Sequence, residues 1–230
     1  DCRFCATATL GLERNLEAGE IVSQILAARQ VAEPWPLSSY VFMGMGEPLA
    51  NYDRLIRAIN IMTARWGLGI SPRRITVSTA GLVPQLERLA SETSVMIAVS
   101  LVAVRDELRD RLMPINRRYP LEALIGACRN LPLPRRKRIT FEYVLLDEVN
   151  DTMADADGLV ALLRGMKAKV NLIPFNPFEG SEFGRPDDDK VRSFQERLLG
   201  AGLHATVRRS RGDDIEAACG QLAASAVRAA

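Results

Sequence analysis

Short apolar runs alternate along the chain with stretches in which apolar residues recur every three or four positions. The runs occupy residues 40–43, 75–78, 95–100, 139–144 and 170–173, with 204–208 as a candidate sixth. They are rich in β-branched residues and mostly unbroken, as expected of strands buried on both faces. Helical periodicity fills the intervals at 17–31, 52–66, 83–89, 121–131, 152–166 and 188–199, and returns at 213–227. Strand–helix alternation of this kind predicts an α/β fold whose parallel sheet is curled into a full or partial barrel. There is no internal repeat, and the proline-rich stretch 131–134 is expected to be a loop.

Each predicted strand ends in small or polar residues. These are Gly44-Met45-Gly46-Glu47-Pro48, Ser78-Thr79-Ala80-Gly81, Ser100-Leu101 and Asn176-Pro177-Phe178. In parallel α/β folds, ligands bind at the C-terminal ends of the strands, so the four segments are expected to converge on one pocket. The glycines let backbone approach a ligand, and Glu47 can accept hydrogen bonds from an ammonium group. Taken singly, Ser78, Ser100 and Asn176 read as strand-end caps or turn formers. As a set, they offer hydroxyl and amide groups to a ribose and a carboxylate. Met43 and Met45 fit packing roles.

Composition narrows the class without naming it. The chain has 230 residues, 47% apolar and 25% charged, enough for one sizeable core. Its longest apolar run, 95–104, is far too short to span a bilayer. No basic-then-apolar leader and no initiator Met open it, which suggests a fragment of a longer protein. Four scattered cysteines argue against a disulfide scaffold and for a reducing cytoplasm. The net charge of +2 does not by itself advertise nucleic acid. Local clusters do more: Arg73-Arg74, Arg117-Arg118, Arg135-Arg136-Lys137-Arg138 and Arg208-Arg209 with Arg211. Any one is explained as solvated surface, whereas the four together predict an RNA-facing rim.

The cysteines divide by setting. Cys2 and Cys5 form a C-x-x-C with Phe4 before the second thiol. A zinc site would need two further ligands, and His204 is the only histidine, so zinc is disfavoured. Clustered thiolates on a loop suit an iron–sulfur centre. Cys128 lies on an amphipathic helical stretch and is expected to be an inert buried thiol. Cys219 follows the acidic pair Asp213-Asp214, where a helix start would favour thiolate, yet on chemistry alone it reads as a structural cysteine.

These strings resemble the radical-SAM rRNA adenine methyltransferases. The resemblance is carried by Cys2-x-Phe4-Cys5, Gly44-Met45-Gly46-Glu47-Pro48-Leu49, Val77-Ser78-Thr79-Ala80-Gly81, Met113-Pro114-Ile115-Asn116, Glu142-Tyr143-Val144, the segment from Asn171 to Phe178, and the segment from Arg211 to Leu222 around Cys219. It implies a partial (βα)6-type radical-SAM barrel forming one catalytic core over residues 1–230. It also implies that the first strand, a small RNA-binding domain and the first cluster cysteine lie upstream of Asp1. Cys2 and Cys5 match two ligands of a [4Fe–4S] cluster. Gly46, Glu47, Ser78, Ser100, Leu101, Val102 and Asn176 match positions that bind S-adenosylmethionine. Cys219 matches the cysteine that carries the methyl carbon. The implied substrate is 23S rRNA, methylated at carbon 2 of an adenine, with tRNA as a second substrate of some relatives. Carbon 8 is the target of the sibling enzymes, and a non-catalytic RNA-binding remnant is the alternative from another class. A flavodoxin-type electron donor, a cytoplasmic location and no membrane partner complete the expectation. One departure stands out: Val102 replaces a histidine usual in the family, and Val104 a usual proline.

Overall fold

The structure, a computed structural model, describes residues 2–208. Six strands form one wholly parallel sheet in sequence order: β1 Tyr40–Phe42, β2 Ile75–Thr79, β3 Met96–Ser100, β4 Ile139–Leu145, β5 Ala168–Pro174 and β6 Ala205–Val207. The sheet is open, with β1 and β6 as its edges, so it is a partial barrel. Helices cover its convex side: α1 Ala18–Ala32, α2 Tyr52–Thr63, α3 Val83–Glu92, α4 Asp106–Leu112, α5 Leu121–Asn130, α6 Met153–Leu163 and α7 Asp188–Gly200.

The core lies between sheet and helices. Phe141 and Tyr143 of β4 are fully buried there, and the Tyr143 ring meets Phe194 of α7 at 5.5 Å between centroids. A smaller apolar cluster of Val102, Leu112, Met113, Leu146 and Phe175 packs at the C-terminal ends of the strands, with Cys2 and Phe4 against it. Those strand ends are where the ligand site is expected.

The strands are not buried on both faces throughout. Along β5, burial alternates: Ala168, Val170, Leu172 and Pro174 are buried, while Lys169, Asn171 and Ile173 are only partly so. Period-two geometry sends the second set to the concave side of the open sheet. Continuous runs such as Val170 to Ile173 hide this, because one concave residue, Ile173, is itself apolar.

Helix α4 has no counterpart among the predicted elements. Its sequence, Asp-Glu-Leu-Arg-Asp-Arg-Leu, carries only two leucines, and it buries an arginine, Arg109. The helix predicted over 152–166 ends at Leu163, shortly before Gly165 takes a φ of 76°. It begins with a capping box in which Thr152 accepts from the Asp155 amide and the Asp155 side chain accepts from Thr152. The periodic stretch 213–227 lies outside the described residues.

The parallel sheet also sorts the basic clusters. Arg73-Arg74 immediately precede β2, and Arg135–Arg138 immediately precede β4, so both sit at the N-terminal end of the sheet. Arg117-Arg118 follow the short turn that runs on from α4, and Arg208 follows β6 at the C-terminal end. A single four-cluster rim is therefore not what the fold builds.

Candidate functional site

A cavity of about 420 Å³ opens at the C-terminal ends of the strands. Cys2, Cys5, Gly46, Glu47, Ser78, Ser100 and Asn176 all contribute to its wall. The convergence expected from the strand ends is thus present.

The two cysteines share a tight loop, in which the Cys5 amide donates to the Cys2 carbonyl at 3.2 Å. The loop is fixed from outside by the Arg3 amide, which donates to the Leu112 carbonyl at the end of α4 at 3.1 Å. Burial pushes the Cys2 thiol above its ordinary pKa. No group of three or more histidine, cysteine or acidic side chains able to hold a metal ion occurs among the described residues. The cysteine loop itself offers two thiols and no imidazole, a soft set suited to iron–sulfur ligation.

Glu47 is held by its neighbours. Its Oε1 accepts from the Leu49 amide at 3.0 Å and its Oε2 from the Ala80 amide at 2.6 Å. Burial raises its pKa, opposed by the hydrogen bonds from Ala80, Leu49 and Thr79. Each carboxylate oxygen can accept more than one hydrogen bond, so the side chain retains capacity for a ligand donor. Gly46 precedes it with a φ of 105°, in the region that favours glycine, and this turns the chain so that Glu47 faces the cavity.

Ser100 belongs to a polar row on the concave face. The strand register places Ser100 beside Glu142, Glu142 beside Asn171, and Asn171 beside Thr206. The Asn171 amide donates to Glu142 Oε1 at 3.5 Å, and the Thr206 hydroxyl lies 3.4 Å from Asn171 Oδ1. Glu142 is only 7% exposed and lines the cavity. Burial raises its pKa, opposed by Asn171 and then by the charges of Arg208 and Lys169. Asn176 Oδ1 accepts from Arg185 at 2.9 Å.

Leu101 and Val102 are placed differently. Both are fully buried, and neither lines the cavity. Val102 has a φ of 62°, in the left-handed region that a β-branched residue rarely adopts. The strained turn is clamped at both sides. The Ala103 amide donates to the Leu101 carbonyl at 2.8 Å, and Asn150 Nδ2 donates to the Val102 carbonyl at 2.6 Å. Strain held in this way recurs at ligand sites. Cys219 lies outside the described residues.

Two residues of the site escaped sequence reasoning. Arg109 is fully buried, and its guanidinium donates to the carbonyls of Leu101 (3.0 Å), Ala80 (2.8 Å) and Ser100 (3.1 Å) and to Asn116 Oδ1 (2.7 Å). Burial lowers its pKa to about 10, which still leaves it charged at neutral pH. Nothing local in a charged helix distinguishes it from the exposed Arg111 next to it. Glu142 did leave a signal, a lone carboxylate inside an otherwise apolar strand.

With this geometry in view, comparison with known proteins is informative. The radical SAM superfamily profile matches residues 1–158. The chain is 56% identical over 224 residues to the dual-specificity RNA methyltransferase RlmN of Syntrophobacter fumaroxidans, covering 97% of this chain and 66% of the relative. It is 55% identical over 221 residues to the protein of the same name from Geobacter sulfurreducens, covering 96% and 61%. A crystal structure of a radical SAM methyltransferase from Sphaerobacter thermophilus superposes with a TM-score of 0.93 at 51% identity, over 97% of this chain and 66% of that one. Streptococcus suis SuiB bound to S-adenosylmethionine shares the fold alone, with a TM-score of 0.61 at 17% identity over 92% of this chain and 48% of that one. The chain spans between 56% and 66% of the length of the curated relatives it matches.

Proposed function

The chain belongs to the radical SAM superfamily, and from that premise we propose that it is the catalytic core of an RNA methyltransferase that modifies carbon 2 of an adenine in 23S rRNA, with tRNA as a second substrate. The observation that carries the reading is the 56% identity to a dual-specificity RNA methyltransferase across 97% of the chain. The cavity supports it by gathering Cys2, Cys5, Glu47 and Ser100 on one wall.

The chemistry explains the apparatus. Carbon 2 of adenine is an electron-poor amidine carbon and does not attack a sulfonium as a nucleophile. Cys2 and Cys5 would hold a [4Fe–4S] cluster, which with S-adenosylmethionine would supply the one-electron chemistry that such a carbon requires.

The chain's own residues bind, orient and exclude. Cys2 and Cys5 would serve as thiolate ligands, and burial, which raises the Cys2 pKa, disfavours its thiolate where no metal is bound. Glu47, fixed by the Ala80 and Leu49 amides, accepts hydrogen bonds from the methionyl ammonium. Ser78, Ser100 and Asn176 offer polar groups to the ribose and carboxylate. The Gly46 turn shapes the wall through its backbone, and Val102 packs in the apolar cluster that receives Cys2 and Phe4. Phe4, Met113, Phe175 and Phe178 line the cavity with apolar surface and keep water from the reacting carbon. Cys219 takes a methyl group by displacement: its thiolate attacks the methyl of the sulfonium and S-adenosylhomocysteine leaves. The target adenine leaves its stack to reach this site. The enzyme works in the cytoplasm with a flavodoxin-type reductant. Among the described residues, no helix is long and apolar enough to cross a membrane.

Incubation of the anaerobically reconstituted protein with methyl-labelled S-adenosylmethionine tests the carrier role. Mass spectrometry is expected to place one methyl on Cys219 and none on Cys128, whose thiol burial pushes up to about 12. Cys219→Ser is expected to abolish both the label and RNA methylation. RNA methylation that survives Cys219→Ser would reject the methyl-carrier mechanism.

A further inference from the structure

One surface beside the cavity carries positive charge that the protein does not use internally. Arg117 and Arg118 are both exposed, and neither joins an ion pair among the described residues. They end the short turn Pro114–Arg117 that runs on from α4. That turn is part of the site's wall. Met113, just before it, lines the cavity, and Ile115 packs into the cluster that also receives Cys2 and Phe4.

Two acids of α4 turn away from the pair. Asp106 and Asp110 turn inward, and their Oδ1 atoms accept from Asn116 Nδ2 at 2.8 and 2.7 Å. Asp106 also accepts from the Leu121 amide at 2.9 Å. Asn116 is in turn bonded to the buried Arg109. Asp106 and Asp110 are thus turned to Asn116 while Arg117 and Arg118 stay exposed, at a turn fixed by buried hydrogen bonds.

Three other arginines at this end are in ion pairs, and Arg208 donates to Met43 Sδ at 3.7 Å. Arg3 pairs with Glu182, Arg105 with Asp155 and Arg185 with Asp188. The clusters at the opposite end include side chains spent on the fold. Arg74 donates to the Leu37 and Ser38 carbonyls, and Lys137 donates to the Val95 carbonyl at 2.6 Å.

We infer that Arg117 and Arg118 form the phosphate-contacting rim on which the RNA backbone docks as the target base enters the cavity. The inference rests on the RNA reading above and assigns its electrostatic contact to one end of the sheet. Arginine suits the task because its guanidinium holds phosphate oxygens in a fixed fork. Phosphate contacts position nucleic acid without reading its sequence, so the pair sets register at the cavity mouth. Tyr119 adds an aromatic face beside the guanidinium of Arg118, 5.4 Å from its ring centroid.

Fluorescence anisotropy over a salt series, with a labelled 23S rRNA hairpin carrying an unpaired adenine, tests the rim. Arg117→Gln with Arg118→Gln is expected to weaken binding on the order of tenfold at physiological salt. It should also make the log–log salt slope shallower by roughly 1.4, two contacts at about 0.7 each. Arg117→Lys with Arg118→Lys keeps the charge and should keep the slope. Arg135→Gln with Arg136→Gln, at the opposite end, should leave both affinity and slope unchanged. S-adenosylmethionine binding should be the same in all three variants, which separates rim from pocket. An unchanged slope in the Arg117/Arg118 glutamine variant, or an equal loss in the Arg135/Arg136 variant, would overturn the inference. So would normal RNA binding by the glutamine variant with loss of affinity for a flavodoxin, which would make the rim a dock for an acidic protein. Failure of the parent reading looks different: the wild type would bind the hairpin through this rim and leave its adenine unmethylated.

Discussion

Arg109 donates Nη2 to the carbonyl of Ala80 at 2.8 Å, although 29 positions separate them in sequence. The same Ala80 donates its amide to Glu47 Oε2 at 2.6 Å. A buried cation on α4 thus fixes the peptide turn that aims the carboxylate of another strand end. The other donors of Arg109 reach the carbonyls of Ser100 and Leu101, so one side chain ties the ends of β2 and β3 together. Gly81 next to Ala80 leaves room for Leu124, whose two methyls would lie 3.1 Å from a Cβ there, and its φ of 112° favours glycine.

Arg109→Lys should therefore cost more than a surface exchange. A lysine keeps the charge but cannot reach four acceptors from one planar fork. The expected loss is about 2–4 kcal/mol, because buried carbonyls lose their donors. Denaturant unfolding measures the stability, and titration calorimetry with S-adenosylmethionine should show weakened binding under conditions where the variant remains folded. An unchanged affinity would mean that Glu47 is aimed without Arg109.

Asn150 is the second buried clamp. Its Nδ2 donates to the Val102 and Val144 carbonyls at 2.6 and 2.7 Å, and its Oδ1 accepts from the Leu146 amide at 2.7 Å. Asn150→Ala strands three buried backbone groups and releases the turn at Val102. A loss of roughly 3 kcal/mol is expected, read as a lower denaturation midpoint with unchanged slope. A loss below about 0.5 kcal/mol would show that the Val102 turn holds itself.

Glu142 makes a signed prediction about pH. Burial raises its folded-state pKa, so the folded protein holds this proton more tightly than the unfolded chain does. That contribution is fully present below the ordinary glutamate pKa of about 4.3 and is lost as pH rises through the raised folded value. Glu142→Gln is neutral throughout and escapes the loss. The variant should be more stable than the wild type at neutral pH, and the two should converge in acid. Glu47 is shifted in the same direction and leaves a residual slope in both proteins. Greater stability of the wild type at neutral pH would show that the charged carboxylate is favourably paired in the folded state.

Much of this architecture was legible because backbone pattern is local. The runs around Val77, Val99 and Phe141 became strands, and the small residues after them became the cavity wall. What stayed hidden depends on contacts between distant segments. Arg109 sits in a helix too charged and short to show apolar periodicity, and its partners lie on other elements. The sequence could not foretell that Leu101 and Val102 leave the cavity wall, because a positive φ at a valine contradicts its own preference and exists only through Asn150. The basic clusters looked alike as strings. Only the common direction of the strands separated Arg73-Arg74 and Arg135–Arg138 from Arg117-Arg118.

Nucleoside mass spectrometry tests the proposed transfer of a methyl group at this cavity to one carbon of an RNA adenine. 23S rRNA is incubated anaerobically with the reconstituted protein, expressed in its full natural reading frame, S-adenosylmethionine and a reductant. The expected product is 2-methyladenosine, with none when Cys5→Ala or Glu47→Gln replaces the wild type. Methylation at carbon 8, or no methylated adenine from a protein that binds both S-adenosylmethionine and the RNA, would contradict it.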